Sequence, residues 1–299
     1  MSVVNGALSA IPVTGSGDDA LRVRVRLENP SMDTALRGLR VTYRGGPWMA
    51  TLRNDSVAFD FDLADGSCIG IRNLVTGTTV ARGDQPLFCL DYLPHDGGTI
   101  QTVAPEDITR VGYQLADDGK SLDMRFRAAM PGGHCLVRCH VGLPDGGLPT
   151  WWIEVENHAD DADIVEVHYP RIGGVRIGDD PDDDVLIWPR WGCRRISEPA
   201  RNAPGRVLYP SGRAMMNWLD VHESGGGAQG LYMASQDETS LVGELVAAEE
   251  DGGATLTLGM SKMPRIEPGE SFRSEDFVVA PHQGDWHWAA DRYREWLES

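Results

Sequence analysis

Three tryptophans lie between residues 188 and 222, among arginine, aspartate and histidine side chains. Indole rings can stack on the C–H face of a sugar, and arginine, aspartate and histidine side chains can hydrogen-bond its hydroxyl groups. This combination predicts a carbohydrate-binding surface. The alternative is a long loop between sheets whose tryptophans pack against the rest of the protein. The candidate carbohydrate-binding residues are Trp188, Arg190, Trp191, Arg194, Trp218, Asp220 and His222.

The charge of the chain bears on which ligands such a surface can take. The 299 residues include 27 Lys and Arg against 45 Asp and Glu, a formal net charge of −18. This charge argues against nucleic acid and anionic membranes as partners and favours a neutral carbohydrate. No apolar run reaches the ~18 residues of a membrane span, and the N-terminus has no secretory signal pattern. We therefore expect a cytoplasmic protein.

Cysteines and acidic residues provide no convincing metal site. The five cysteines are too few and too dispersed for a disulfide framework. Cys135 and Cys139 lie in a strand-like stretch, where they would be roughly 13 Å apart, too far to share a zinc ion. We expect both in the core. The acidic run from Asp179 to Asp184 lacks the glycine spacing of a calcium loop and predicts a solvated turn. No cofactor is expected.

Strands must position these residues, because apolar and polar side chains alternate with a period of two along much of the chain. Turns rich in Asp-Gly and Gly-Gly separate the alternating stretches. Many strands with one polar face predict a mainly β protein of antiparallel sheets packed face to face. The clearest stretches are residues 21–27, 57–63, 122–126, 153–156, 165–169 and 255–260.

The chain divides into three predicted segments. The Gly-Gly-Pro sequence at residues 45–47 predicts a boundary. Residues 1–46 are expected to form a leading β-hairpin segment, with strands at residues 21–27 and 39–43. Residues 47–280 are expected to form the sandwich domain, and residues 281–299 a C-terminal linker helix.

The C-terminal helix is amphipathic with an aromatic face. Such a face needs a large packing partner, so we expect a connector to a further domain, held only marginally by this chain. Alternatives are that the helix folds back on the sandwich or mediates self-association. The residues of the apolar face are Trp286, Ala289, Ala290, Tyr293, Trp296 and Leu297.

Five motifs carry a resemblance to a known family. The motifs are residues 188–195, 209–212, 217–220, 230–237 and 282–297. In this order and spacing they resemble the N-terminal β-domain of a glycoside-hydrolase-like family, a galactose-mutarotase-like β-supersandwich preceding a TIM-barrel catalytic domain. The resemblance covers roughly residues 47–299 and implies a non-catalytic, carbohydrate-associated domain that braces the barrel and contributes to its sugar site.

The same resemblance limits what can be assigned. It implies that the catalytic carboxylates lie in the barrel, so no catalytic residue is assigned here, and that the partner is a barrel domain or a separate barrel chain. Aldose mutarotases share the supersandwich fold and use histidines with a carboxylate as acid and base. A stand-alone sugar mutarotase or epimerase is therefore one alternative, although the eight histidines show no mutarotase motif. A purely structural assembly module is the other.

Overall fold

The computed structural model of the chain describes residues 49–211, 214, 216–225 and 229–299, and the backbone of residues 2–4 and 7–9. Two compact units separate at Tyr43 and Arg44. In the first unit, β1 (Ser2–Val4) and β2 (Ala7–Ser9) pair antiparallel. The hairpin predicted for residues 21–27 and 39–43 lies outside the described residues.

The second unit contains the remaining strands and one α-helix, α1 (Trp286–Leu297). Two 3₁₀ turns, Pro105–Asp107 and Pro181–Asp183, lie between strands. In chain order the strands are β3 (Met49–Arg53), β4 (Val57–Asp62), β5 (Cys68–Asn73), β6 (Thr78–Ala81), β7 (Cys89–Pro94), β8 (Gln101–Thr102), β9 (Ile108–Leu115), β10 (Ser121–Met130), β11 (Gly133–Gly142), β12 (Thr150–Asn157), β13 (Ala162–Val175), β14 (Asp184–Trp188), β15 (Arg194–Ser197), β16 (Gly205–Tyr209), β17 (Trp218–Glu223), β18 (Gln229–Ser235), β19 (Gly243–Glu250), β20 (Thr255–Lys262), β21 (Ser271–Arg273) and β22 (Phe277–Gln283).

These strands form two ten-stranded antiparallel sheets, which confirms the predicted sandwich. Sheet I has the order β15-β14-β17-β18-β22-β12-β11-β10-β9, with β21 beside β12. Sheet II has the order β16-β19-β20-β13-β6-β5-β4-β3, with β7 between β13 and β8. No helix in the described ranges is long and apolar enough to cross a bilayer.

The inner faces of the two sheets enclose the main hydrophobic core. Phe59 and Phe61 of sheet II meet Trp151 of sheet I at ring-centroid distances of 5.2 and 5.8 Å. Each such fully buried side chain stabilises the fold by about 1.5–3 kcal/mol. Cys135 and Cys139 lie in this core, as predicted. Burial raises the pKa of the Cys135 thiol to about 12, which makes it an unreactive core residue.

Helix α1 folds back onto the outer face of sheet I, one of the predicted alternatives. Asp285 caps its N-terminus by accepting a hydrogen bond from the backbone N–H of His287 at 3.0 Å. Ala289 and Tyr293 are buried against the sheet. The helix is shorter than the predicted segment, because residues 281–283 pair with β18 and belong to β22.

One residue of the acidic run departs from the predicted solvated turn. Asp182 and Asp183 are exposed, but Asp184 is buried. Its carboxylate accepts hydrogen bonds from the backbone N–H groups of Ile177 at 3.0 Å and Gly178 at 2.8 Å. Buried N–H groups need such acceptors, which explains why the carboxylate turns inward. Burial raises the pKa of Asp184 to about 6, despite these two hydrogen bonds.

Candidate functional site

The three predicted stacking tryptophans lie in three different environments. Trp188 is buried in the core between the sheets, and Trp218 is buried on the opposite face of sheet I, beneath α1. Trp191 lies in the turn between β14 and β15 and is 69% exposed. A sugar-stacking role therefore does not fit Trp188 or Trp218, because neither ring face is open to a ligand. Of the three rings, that of Trp191 is exposed and remains a candidate for stacking on a sugar.

The four predicted polar residues divide in the same way. Arg190 and Arg194 flank the exposed Trp191. The backbone of Arg190 pairs with that of Ala214 in an isolated antiparallel β-bridge. Asp220 and His222 instead lie on the outer face of β17, beneath α1, where both are buried. The predicted residues therefore form two separate groups, and only the turn around Trp191 presents an accessible surface.

The turn around Trp191 has a strained backbone. Trp191 and Cys193 have φ values of 57° and 67°, on either side of Gly192 at 82°. Left-handed conformations cost about 1–2 kcal/mol for residues with a Cβ atom. Such strain persists where the surrounding structure enforces it and is concentrated at functional sites. The backbone of this turn therefore has a left-handed conformation at three successive residues.

A group of three buried titratable residues, here called the Asp220 triad, lies beneath α1. Asp220 is completely buried between two histidines. Its two carboxylate oxygens lie 2.7 Å from Nδ1 of His222 and 2.7 Å from Nε2 of His282. The two imidazoles approach different oxygens, so the three residues form a chain of hydrogen bonds. Helix α1 covers these three hydrogen-bonded residues, so no substrate can reach them.

A second titratable group lies on the outer face of sheet II and reaches the surface. This His168 cluster consists of Asp91, Glu166, His168 and Ser261, which come from three adjacent strands, β7, β13 and β20. Side-chain exposures are 16% for Asp91, 14% for Glu166 and 8% for His168. The alternation in β13 explains the placement, because Val167 points into the core and the residues on either side of it point outward.

Hydrogen bonds fix the geometry of the His168 cluster. Nε2 of His168 lies 3.1 Å from Asp91 Oδ2, and Nδ1 lies 3.6 Å from Glu166 Oε1. The Ser261 hydroxyl donates to Glu166 Oε1 at 2.5 Å, and the Thr102 hydroxyl donates to Asp91 Oδ1 at 2.6 Å. The imidazole is therefore held between two carboxylates, each of which is positioned by a hydroxyl group.

The electrostatics of the cluster favour an ionised aspartate. Burial acts to raise the pKa of Asp91, but hydrogen bonds from His168 and Thr102 outweigh it and hold that pKa below its usual value. Asp91, Glu166 and His168 are close enough to ligate a metal ion.

Comparison with known proteins identifies the fold. No protein-family model matches the chain, and no curated protein matches it. Solved structures do match. A galactose mutarotase related enzyme from Lactobacillus acidophilus superposes with a TM-score of 0.54 at 9% identity, covering 79% of this chain and 98% of that one. An alpha-galactosidase from Lactobacillus brevis superposes with a TM-score of 0.55 at 12% identity, covering 84% of this chain and 41% of that one. The sandwich has the galactose mutarotase-like fold.

Longer proteins contain this fold as one part. An alpha-N-acetylgalactosaminidase from Bifidobacterium bifidum superposes with a TM-score of 0.57 at 15% identity, covering 84% of this chain and 39% of that one. The chain thus spans about two fifths of the two glycosidases and nearly all of the mutarotase-related enzyme. At these identities the likeness concerns the fold alone, and function must be argued from the residues of this galactose mutarotase-like sandwich.

Sequence reasoning did not select the His168 cluster. The alternation of Glu166 and His168 with Val165, Val167 and Tyr169 was its local signal. Asp91 lies 77 residues before His168 in the sequence, and Ser261 lies 95 residues after Glu166. Only the pairing of β13 with β7 and β20 brings these residues together.

Proposed function

We propose that this galactose mutarotase-like sandwich binds a neutral monosaccharide on the outer face of sheet II and interconverts its anomers. The observation that supports this function is the imidazole of His168, which is 8% exposed and lies between the partly exposed carboxylates of Asp91 and Glu166. An acid and a base close together on one face are what reversible opening of a sugar ring requires.

In this proposal Glu166 and His168 have separate roles. Glu166 accepts the proton of the anomeric hydroxyl O1 while His168 donates a proton from Nδ1 to the ring oxygen O5. The C1–O5 bond breaks as the C1=O1 carbonyl forms. Rotation about C1–C2 and the reverse proton transfers then give the other anomer, so nothing is consumed. Glu166 and His168 are 3.6 Å apart, close enough to act on two oxygens of one anomeric carbon.

Two further residues support these roles. Asp91 holds Nε2 of His168, which leaves Nδ1, 3.6 Å from Glu166 Oε1, to act on the proposed sugar. Ser261 holds one oxygen of Glu166. A neutral sugar also suits a chain with a net charge of −18, because it experiences no long-range repulsion.

Anomer exchange measured by NMR tests this function. We expect the protein to accelerate interconversion of α- and β-D-galactose or D-glucose. Glu166→Gln and His168→Asn should each lower the enhancement by about 100-fold or more, as expected for loss of an acid–base group. Glu156 and His158 provide a matched control, because they form an exposed 3.1 Å pair on sheet I. Glu156→Gln and His158→Asn should leave the rate unchanged. A wild-type rate equal to that in buffer would contradict the proposal.

A second candidate function rests on the coverage of the two glycosidases and on the strained turn at Trp191. In this role the sandwich braces a glycosidase-type catalytic barrel, supplied by another domain or chain, and the turn with Arg190 and Arg194 contributes to sugar binding. A sugar titration followed by NMR distinguishes the two functions. This candidate expects shifts at the Trp191 indole N–H that Trp191→Ala abolishes, with no anomer exchange by the isolated chain.

A further inference from the structure

A polar cleft of about 810 Å³ lies where β6 and the end of β13 in sheet II meet the ends of β17 and β18 in sheet I. Ligand pockets generally have volumes of about 300–1,000 Å³, so this cleft has room for a small organic molecule. Its polar lining includes Thr76, Thr78, Arg82, Arg176, Glu223 and Gln229. We propose that this region, here called the Gln229 cleft, binds an anionic monosaccharide, a hexose that carries a phosphate or a carboxylate group.

Two threonine hydroxyls of the cleft can only accept further hydrogen bonds. Gln229 is 8% exposed, and its Oε1 accepts a hydrogen bond from Thr76 Oγ1 at 3.0 Å and another from Thr78 Oγ1. The two threonine oxygens are themselves 2.7 Å apart. Two hydroxyl hydrogens therefore serve three contacts, and none is left for a ligand. Because a hydroxyl oxygen has two lone pairs, both oxygens can still accept, and a ligand must bring donors such as sugar hydroxyl groups.

Two arginines of the cleft supply hydrogen-bond donors. Arg176 donates from Nε to the backbone oxygen of Gly178 at 3.1 Å, and Arg82 donates from Nη2 to Thr79 Oγ1 at 3.4 Å. Among the described residues, neither guanidinium forms an ion pair with a carboxylate. Their remaining N–H groups can donate to an anionic oxygen of a ligand, and such charge-assisted hydrogen bonds are roughly twice as strong as neutral ones.

A close approach of two backbone segments brings both arginines to the same cleft. The backbone N–H of Arg82 donates to the oxygen of Gly174 at 2.9 Å, and that of Arg176 donates to the oxygen of Val80 at 3.1 Å. A Cβ atom at Gly174 would lie 1.7 Å from the backbone oxygen of Arg82, and φ at this glycine is 65°. Only glycine tolerates both conditions, so Gly174 allows the segments that carry Arg82 and Arg176 to lie side by side.

Acidic residues narrow the class of ligand. Asp179 and Glu223 also line the cleft. Their carboxylates accept hydrogen bonds from sugar hydroxyls and repel additional negative charge. The lining therefore favours a ligand with one anionic group and several hydroxyls over inorganic phosphate or a polyanion. The net charge of −18 opposes any anion at long range, but salt at about 0.1 M screens exposed charges beyond about 10 Å.

The Gln229 cleft is separate from the His168 cluster. Val175 pairs with Ala81 beside the cleft and lies seven residues after His168 in β13. This spacing corresponds to roughly 20 Å along the strand, at about 3.3 Å per residue. Binding in the cleft therefore does not depend on the anomer exchange proposed for His168.

Methyl NMR of the full chain tests this site, because Ile177 lines the cleft. Its δ1-methyl resonance, assigned with Ile177→Val, should shift on titration with glucose 6-phosphate or glucuronate, and the comparison shows which anionic group is preferred. At least one of them should bind at least about tenfold more tightly than glucose. Arg82→Gln and Arg176→Gln should each weaken this binding by about tenfold or more, as expected for loss of a hydrogen bond to a charged group.

Arg127→Gln is the matched control and should bind as wild type. Arg127 is exposed in β10 and hydrogen-bonds His134, with no carboxylate partner among the described residues. Two results would overturn the site. One is a wild-type preference below tenfold for both anionic sugars, which includes no binding at all and decides the matter even if a variant fails to fold. The other is undiminished binding by both folded arginine variants. Anomer exchange is not measured, so failure of the function proposed for the His168 cluster leaves this test intact.

Discussion

Burial, and not residue type, separates the tryptophans of this chain. Trp218 is 2% exposed and packs against Tyr232 and Tyr293 at centroid distances of 6.2 and 6.3 Å. We expect Trp218→Ala to lower the free energy of unfolding by about 3–5 kcal/mol, because it leaves a cavity. Trp191→Ala should change it by no more than about 0.5 kcal/mol, as at other exposed sites. Urea unfolding monitored by circular dichroism measures both, and equal losses would show that the Trp191 ring also packs.

At the residue scale, the sequence identified the right residue types but not their surroundings. Trp188 and Trp218 lie in β14 and β17, where almost every side chain is buried, so no alternation shows which face is covered. Asp220 and His222 resembled sugar contacts because they follow Trp218 in a stretch that combines aromatic and charged side chains. Their burial depends on His282, 62 residues after Asp220 in the sequence, and on the helix that follows it.

Helix α1 is the element whose contribution can be tested most directly. It covers the outer face of sheet I with Ala289 and Tyr293. We expect deletion of residues 284–299 to leave both sheets folded, because their core lies on the other side of sheet I. The free energy of unfolding should still fall by several kcal/mol, since each large buried side chain contributes about 1.5–3 kcal/mol.

Urea unfolding of the truncated chain measures this loss, and the far-UV spectrum reports whether the sheets persist. Arg294→Ala is the control, because its side chain is 63% exposed on the same helix, and it should behave as wild type. A truncated chain without a β-sheet spectrum would show that α1 is required for the sandwich to fold.

Strands were predictable at the element scale where one face is polar. The alternating stretches at residues 57–63, 122–126 and 255–260 correspond to β4, β10 and β20. The start of the last helix was less predictable. Residues 281–283 lie beside the helical pattern in the sequence, but their pairing with β18 places them in a strand. That pairing is a long-range contact, which local periodicity does not contain.

At the scale of the whole molecule, buried carboxylates determine how stability responds to pH. Burial acts to raise the pKa of Asp91, Asp123 and Asp237, but hydrogen bonds from basic side chains hold all three below the usual value. Each therefore stabilises the fold above its unfolded pKa, and this stabilisation is lost as the pH falls through the folded pKa. The contribution of Asp184 to stability changes with pH in the opposite direction.

The folded pKa of Asp184 is about 6, against 3.8 without the surrounding protein. Between these values the folded state binds more protons than the unfolded state, so stability falls as the pH rises from about 4 to 6. At about 1.4 kcal/mol per pKa unit, this residue should account for a loss of about 3 kcal/mol across that window. Asp184→Asn should remove this component, because an amide does not titrate.

The measurement is the free energy of urea unfolding for wild type and Asp184→Asn at a series of pH values. The substitution also disturbs the hydrogen bonds to Ile177 and Gly178, which shifts the whole curve. Only the difference between the two curves matters, because the contributions of the other carboxylates cancel in it. That difference should change by about 3 kcal/mol between pH 4 and 6 and stay constant above. Asp183→Asn, in the exposed part of the same turn, should give no such change. A pH-independent difference for Asp184→Asn would mean that this carboxylate titrates alike in the folded and unfolded chain.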